Sequence, residues 1–332
     1  MALVWVEPFE PYGTNMSLPS QNGYTIVGGV LFAGGRTGTI ALQINGAGWR
    51  RALAVAATTL GQGIAINPNN GASDDAGGLN FLTGSVVQVE AVRMGSDNSV
   101  GIYIAGVGLA GRSAPNVLPI GVWNYLECKC IKNTGGANTG YIEARVNGVT
   151  QVIINNANLP NSFDTIQLGN ATGTNNYDDW VVWDGTGTAN NNFMGDRRLY
   201  VSLPNANGAT QNFTPSAGSA FNCVNQVPPV DTTYIEGAAA GNVSEFVKGA
   251  IGINSNDIAA MVVMGRLFKT DAGACTGKIG LDSSGNILNS PDINPGTTGG
   301  FFQFIVEKDP NGTIPWTRAH ADAANIVITR TV

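Results

Sequence analysis

The sequence predicts an all-β protein built as two successive antiparallel sandwiches, the second smaller than the first. Three observations carry this expectation. Nearly every segment reads as a short run of β-branched, aromatic and aliphatic residues ended by Gly, Asn, Pro or Asp, the rhythm of packed antiparallel sheets rather than of alternating strands and helices. Helical periodicity is almost absent. Charged residues make up only 12% of the 332 residues against ~25% in an ordinary globular chain, and 45 glycines are near twice the usual ~7% share. Asn, Thr, Ser and Gly stand where charge would be, and these are the residues of turns and strand edges.

Taken in order, residues 1–19 read as an amino-terminal arm or first strand that could reach a neighbour. Strands are expected over 24–32, 39–44, 51–57, 61–66, 85–92, 100–104 and 122–132. The clearest element follows, Tyr141-Ile-Glu-Ala-Arg-Val-Asn-Gly-Val-Thr-Gln-Val-Ile-Ile154. Asn147-Gly148 tolerates the positive φ angles of a two-residue type I′ turn, which pairs Val146 with Val149 and, in a tight loop, Ala144 with Gln151. One face then carries Ile142, Ala144, Val146, Val149, Gln151 and Ile153, and the other Tyr141, Glu143, Arg145 and Thr150, so one face is buried and the other wet. Strands over 163–168 and 177–183 close a first sandwich spanning 20–203.

Composition then shifts over 204–230, which holds Asn205-Ala-Asn-Gly208, Thr214-Pro-Ser-Ala-Gly218 and Val227-Pro-Pro-Val230 and reads as a linker. Beyond it, strands over 245–251, 258–269, 275–281, 301–307 and 325–331 build a second sandwich, 231–332. Asp282-Ser-Ser-Gly-Asn286 is a hairpin turn, and Thr317 is placed to cap one short helix within 316–324. A length of 332 residues fits two domains of roughly 100–200 residues each.

The net charge of −6 and pI near 4.8 argue against nucleic acid as a partner, because neutralising phosphates needs clustered Lys and Arg. The densest basic points are the pairs Arg50-Arg51 and Arg197-Arg198. No apolar run approaches the roughly 18 residues of a membrane helix, and the first residues lack a basic region followed by an apolar signal core, so the expectation is cytoplasmic synthesis without membrane insertion. Cys128 and Cys130 lie two apart in a strand, on one face with Leu126, where neither a bridge nor a metal site forms readily. Buried free thiols are expected there, and a bridge between Cys223 and Cys275 stays open. No metal ligand set and no cofactor is expected.

Catalytic patterns are sparse. His320 is the one histidine and no Gly-x-Ser-x-Gly motif is present, so a Ser-His-Asp or Cys-His unit lacks its parts and His320 reads as a surface residue. Glycoside hydrolysis needs two carboxylates about 5–5.5 Å apart in its retaining form, which i and i+2 acids on a strand provide. The one Glu-x-Asp is Glu307-Lys-Asp309, which runs into the turn Pro310-Asn-Gly312. Asp178 and Asp179 are sequence neighbours and should point to opposite faces, as should Asp74 and Asp75 if extended. Gly106-Val-Gly-Leu-Ala-Gly111 matches a dinucleotide fingerprint, but Pro115 and Pro119 stand where its helix should open, so it reads as a loop between strands. Asn170-Ala-Thr172 and Asn212-Phe-Thr214 match a glycosylation acceptor by chance in an Asn-rich chain. Among six tryptophans, Trp180 and Trp183 should face opposite sides of one strand, leaving one as core and the other as a contact for a sugar or a subunit.

Phe9-Glu-Pro-Tyr-Gly-Thr14, Gly35-Arg-Thr-Gly38, Trp123-Asn-Tyr-Leu-Glu127, Gly140-Tyr-Ile-Glu-Ala-Arg-Val-Asn-Gly148 and Tyr177-Asp-Asp-Trp-Val-Val-Trp-Asp-Gly185 together resemble the concanavalin A-like, laminin-G-like domain of tailed-bacteriophage structural proteins. Asn191-Asn-Phe-Met-Gly-Asp196, Thr214-Pro-Ser-Ala-Gly218, Pro228-Pro-Val-Asp-Thr-Thr-Tyr234 and Pro315-Trp-Thr-Arg318 are similar to the continuation into a second β-domain. The resemblance implies a concanavalin A-like jelly-roll sandwich followed by a smaller β-sandwich. It also implies a non-enzymatic virion component of tail, fibre, collar or head surface, assembled in the host cytoplasm, homo-oligomeric and in contact with other virion proteins. It brings no catalytic residues. The alternative is a carbohydrate-binding adhesin for a host surface glycan, and a glycoside hydrolase is third. Trp49, Tyr177, Asp178 and Trp180 are the candidate glycan or partner contacts.

Overall fold

The computed structural model describes residues 2–26, 28–37, 40–46, 48–69, 76–133, 135–169, 174–253 and 257–332. Asp74, Asp75 and the acceptor site at Asn170 lie outside them. The chain divides into two compact units, Met1–Leu199 and Tyr200–Val332. Among the described residues no helix is long and apolar enough to cross a membrane.

The first unit is a jelly-roll sandwich. Its strands are β1 (Leu3–Glu7), β2 (Tyr24–Ile26), β3 (Val30–Ala33), β4 (Ile40–Asn45), β5 (Trp49–Ala57), β6 (Thr59–Pro68), β7 (Ala76–Thr83), β8 (Val86–Arg93), β9 (Val100–Ile104), β10 (Gly108–Arg112), β11 (Asn124–Ile131), β12 (Gly140–Val146), β13 (Val149–Ala157), β14 (Phe163–Leu168) and β15 (Thr174–Asp184). One sheet runs β13-β12-β11-β6-β15-β4-β3 with β1 also paired to β15, and the other runs β10-β9-β8-β7-β14-β5-β2. Every pairing is antiparallel within these two sheets.

The inner faces meet in an apolar layer that includes Ile64, Ile66, Phe81, Leu126, Cys128 and Ile166, all fully buried. Polar groups within it are paired across the sandwich. The Gln62 amide donates to the Asn80 carbonyl at 2.8 Å, and the Tyr177 hydroxyl and Asn175 amide both donate to the Gly77 carbonyl. Such pairing is what keeps buried amides and hydroxyls from costing stability.

Asn147 and Gly148 take φ of 50° and 79°, and Val146 faces Val149 as the turn predicts. A bulge then shifts the register, so Ala144 faces Val152 rather than Gln151 and Ile153 turns to the outer face opposite Glu143. Gly106 and Gly108 take φ of 74° and 85° in the turn between β9 and β10, and no helix follows.

Of the two forms expected for the leading segment, residues 3–7 take that of a first strand. β1 pairs along β15, and the turn after it inserts Phe9 and Tyr12 into an aromatic cluster with Tyr24, Trp49 and Trp180. Inside that cluster the Glu7 carboxylate accepts from Tyr12 at 2.7 Å, Tyr24 at 3.1 Å, the Asn22 amide at 3.3 Å and the Phe9 backbone at 3.0 Å. Burial outweighs these donors and pushes Glu7 up to about 7.

The second unit is the smaller sandwich. Its strands are β16 (Pro204–Gln211), β17 (Thr214–Pro215), β18 (Ile235–Glu236), β19 (Val243–Lys248), β20 (Met261–Leu267), β21 (Gly277–Ser283), β22 (Asn286–Asn289), β23 (Gly300–Val306) and β24 (Asn325–Arg330). A five-stranded sheet, β16-β19-β24-β21-β22, is accompanied by the ribbons β20-β23 and β17-β18. Residues 204–211, read as linker, are thus an edge strand, and β17 and a short helix over Ala220–Val224 follow. The core gathers Val263, Ile279, Leu281, Val306 and Trp316. Trp316 donates its indole N–H to the Val306 carbonyl at 2.8 Å, and Thr317 caps the helix Arg318–Ala323 by accepting from the His320 backbone at 3.2 Å. All four thiols are free. Cys128, Cys130 and Cys223 are buried and Cys275 is half-buried.

Candidate functional site

The outer face of the eight-stranded sheet is where chemistry gathers. In most sandwiches such a face is wetted, yet every residue of β15 from Asn175 to Trp183 is buried, so both faces of this strand are covered. The outer cover is residues 185–199, an irregular segment that belongs to no strand.

The floor under this cover begins with β6, whose outward residues are Gly61, Gly63 and Ala65. A Cβ at Gly61 would sit 2.1 Å from the Trp183 ring, and one at Gly63 would sit 2.8 Å from the Tyr125 hydroxyl. The two glycines therefore let side chains from β15 and β11 lie flat across β6. Tyr125, Glu127 and Lys129 alternate outward on β11, and Tyr141, Glu143 and Arg145 do so on β12, opposite the inward Ile142, Ala144 and Val146.

On β15 a bulge decides the geometry. Asp178 faces Ala65 and Val181 faces Gly63, so three steps on β15 span two on β6. Asp179 takes the extra place in the left-handed region, with φ of 54°. Both carboxylates consequently point outward, which corrects the expectation that sequence neighbours occupy opposite faces. The Arg36 backbone N–H donates to Asp178 at 2.7 Å, and the Arg36 guanidinium lies 3.5 Å from Asp179 and donates to Asp196 at 2.5 Å. Burial pushes both carboxyls above the ordinary range. The charge of Asp179 pushes Asp178 further, while the Leu199 amide and Arg36 restrain Asp179.

The cover is held by side chains of the sheet. Glu127 accepts from the Met194 and Gly195 backbone N–H groups at 2.9 and 3.2 Å, and Asp179 accepts from that of Leu199 at 2.7 Å. Lys129 donates to Asn192 at 2.9 Å, and the Phe193 ring packs 3.9 Å from the Arg145 guanidinium and edge-on to Trp183 at 6.1 Å. Burial pushes Glu127 up to about 7 against those two amide donors. Four polar atoms in this layer, Tyr125 Oη, Glu127 Oε2, Asp179 Oδ2 and Trp183 Nε1, are buried without a hydrogen-bond partner among the described residues.

At its β12 end the face emerges into solvent. Arg145 is 30% exposed, with its Nε on Glu143 at 2.7 Å and its guanidinium against the Phe193 ring. Tyr141 donates to the same carboxylate at 2.6 Å and Thr150 at 2.8 Å. Burial opposes the charge on Glu143, but these three donors outweigh it and hold Glu143 below its ordinary value. Burial and then Glu143 push Tyr141 up to about 12, and burial lowers Lys129. Among the described residues no group of three His, Cys, Asp or Glu side chains could hold a metal ion.

Of the four expected glycan or partner contacts only Asp178 points into this layer, beside Asp179 and Trp183, and at 1% exposed it too offers no surface to a sugar or a partner. Trp49 and Trp180 are wholly buried and Tyr177 is 1% exposed, so none of the three has surface to offer a sugar or a partner. Trp180 turns inward and donates to Gln62 at 3.2 Å, Tyr177 bridges the sheets, and Trp49 stacks beside Tyr24. Trp180 and Trp183 do face opposite sides, but the outward one is Trp183 and Phe193 covers it. In the second unit, Asp309 is bound to His320 and to the Asn311 backbone at 2.9 Å and has no exposed surface, so Glu307-Lys-Asp309 forms no catalytic pair. The site residues that sequence reasoning passed over are Tyr125, Glu127, Lys129, Tyr141, Glu143 and Arg145. Their signal was present as strict polar alternation on two adjacent strands.

No family model matches the chain, and no curated protein is similar to it. Solved structures similar to it include the alginate lyase Aly36B, at 10% identity over 55% of this chain and 95% of the other with a TM-score of 0.43. The endo-β-1,4-glucuronan lyase of the fungus Trichoderma reesei matches at 13% identity over 55% and 91% with a TM-score of 0.34. A protein of unknown function with a galectin-like fold from Bacillus subtilis matches at 10% identity over 55% and 96% with a TM-score of 0.38. At these identities the likeness is one of fold. The expectation of a non-enzymatic phage structural protein meets neighbours named as polysaccharide lyases and as a galectin-like protein, none named as a phage component, and is withdrawn.

Proposed function

We propose that the first unit is a carbohydrate-active sandwich that binds an acidic, uronate-type polysaccharide on the outer face of its eight-stranded sheet. The observation that carries this reading is the placement of Lys129, Tyr141 and Arg145 on two adjacent strands at the open end of that face. The partly exposed guanidinium of Arg145 suits a sugar carboxylate, which a guanidinium meets through charge-assisted hydrogen bonds. Lys129 adds a second cation, its Nζ 5.7 Å from the centre of the Tyr141 ring, and the ring offers an apolar surface to a sugar. Glu143 fixes Tyr141 and Arg145 in place through two of its hydrogen bonds. Calorimetry against oligomers of alginate, glucuronan and polygalacturonate tests the reading. Binding is expected for at least one, weakened about tenfold or more by Arg145→Ala, the loss of a charge-assisted hydrogen bond. A chain that binds none of them, or whose binding ignores both Arg145→Ala and Lys129→Ala, overturns it.

A second reading is favoured by one further observation, the proximity of a lowered amine and a raised phenol. In β-elimination the proton beside a neutralised carboxylate is removed and the glycosidic oxygen leaves with a proton. Lys129, lowered by burial, suits the first task, and Tyr141, which keeps its proton at neutral pH, suits the second. The product carries a new carbon–carbon double bond, so elimination appears as growing ultraviolet absorbance that Tyr141→Phe abolishes. Binding without any such absorbance refutes this second reading alone.

A further inference from the structure

We infer that residues 185–199 are a displaceable strap, and that a long sugar chain lifts it to occupy a second half of the binding face that it now covers. The inference rests on the reading of this face as a carbohydrate site. Three features of the strap carry it.

The strap runs across the strands, from Asn192 and Phe193 over β11 and β12 to Leu199 over β15, along the line that extends the open patch. It joins no ladder, so lifting it breaks no sheet hydrogen bonds. Its named contacts to the floor are side-chain contacts, and segments held in this way open at a small fraction of the global unfolding cost. The fit beneath it is also incomplete. Tyr125 Oη, Glu127 Oε2 and Trp183 Nε1 lie on the floor without hydrogen bonds among the described residues, whereas buried polar groups are nearly always paired. Phenol, carboxylate and indole on a floor flattened by Gly61 and Gly63 are groups that hydrogen-bond sugar hydroxyls and pack on sugar rings. With the strap in place the floor meets its peptide backbone at three amides and leaves Tyr125 Oη, Glu127 Oε2 and Trp183 Nε1 without partners among the described residues. A polyhydroxylated chain would engage them.

Hydrogen exchange of the intact protein tests the strap, because the Met194, Gly195 and Leu199 amides donate directly to the floor. The probes are uronate oligomers of three and of eight sugars from whichever of alginate, glucuronan or polygalacturonate binds. At saturation, the octamer is expected to speed exchange across all three amides at least tenfold, while the trimer, confined to the Lys129, Tyr141 and Arg145 end, leaves the Leu199 amide over β15 unchanged. Phe193→Ala, which removes the ring from Arg145 and Trp183, is expected to tighten octamer binding about fivefold, since it weakens the competitor and not the floor. Octamer binding with these amides still protected, or octamer binding weakened by Phe193→Ala, overturns the strap and leaves the carbohydrate site standing. Failure of every oligomer to bind overturns both.

Discussion

Glu127→Gln should make the protein more stable at alkaline pH and leave it unchanged at acid pH. Glu127 has no exposed surface, and burial raises its carboxyl from the ordinary 4.5 to about 7. As pH rises from 4.5 toward 7, the unfolded chain releases this proton while the folded chain keeps it. The folded state then holds more protons than the unfolded state, so stability falls with rising pH, by about 1.4 kcal/mol per pH unit. Over about two and a half units that is about 3.5 kcal/mol at most, reached near neutrality and constant above it. Gln keeps an oxygen for the Met194 and Gly195 amides and carries no charge, so the variant escapes the loss. Urea unfolding of the intact chain, followed by tryptophan fluorescence, reads it out, since Trp5, Trp49, Trp123, Trp180 and Trp183 all lie in the first unit. Wild type and variant should coincide at about pH 4.5, and the variant should lead by about 1–3 kcal/mol at about pH 8. A variant that is less stable at the higher pH would show that the amide bonds to a charged Glu127 outweigh its burial, and the argument would be wrong. A difference that does not change with pH would also refute it.

Three further outcomes follow from the same face. Asp179→Gly should keep the bulge and the fold, whereas Asp179→Val forces a β-branched residue to φ near 54° and should cost about 1–3 kcal/mol beyond it in thermal unfolding. Gly61→Ala places a methyl 2.1 Å from the Trp183 ring and should destabilise the first unit by about 1–3 kcal/mol while freeing Phe193, seen as faster exchange at Met194. Binding of a uronate oligomer should weaken steadily from low to high salt, because Lys129 and Arg145 contribute as charges at a half-exposed site, and titrations at two ionic strengths check this.

What the sequence made legible is local. The Asn147-Gly148 turn, the inward face shared by Leu126, Cys128 and Cys130, the Asp282 to Asn286 turn and the Thr317 cap each follow from a few neighbouring residues, and each stands in the structure. The candidate site was less legible because it depends on two long-range facts. Strict alternation through Tyr177 to Trp183 puts Trp180 outward, and the extra residue at Asp179 reverses that parity, which no periodicity reveals. Nor does any pattern announce that an irregular segment after β15 folds back over the sheet, turning an expected wet face into a buried one. The leading segment left two alternatives, arm or first strand, for a similar reason. Residues 3–7 are the first strand, which only their pairing with β15 decides.

The bulge at Asp179 also bears on how such a protein could diverge. Deleting this one residue would leave Asp178 opposite Ala65 and Val181 opposite Gly63 and keep Trp180 in the core, so the sheet would survive intact. The second carboxylate would vanish, and with it the anchor of Leu199, the ion pair to Arg36 and the neighbour that perturbs Asp178. Whether this sheet carries a paired acid site is therefore set by the length of the chain at one point. A loss of a single codon could silence that half of the face without touching the fold, and relatives should be compared first by gaps at this position and only then by residue identity.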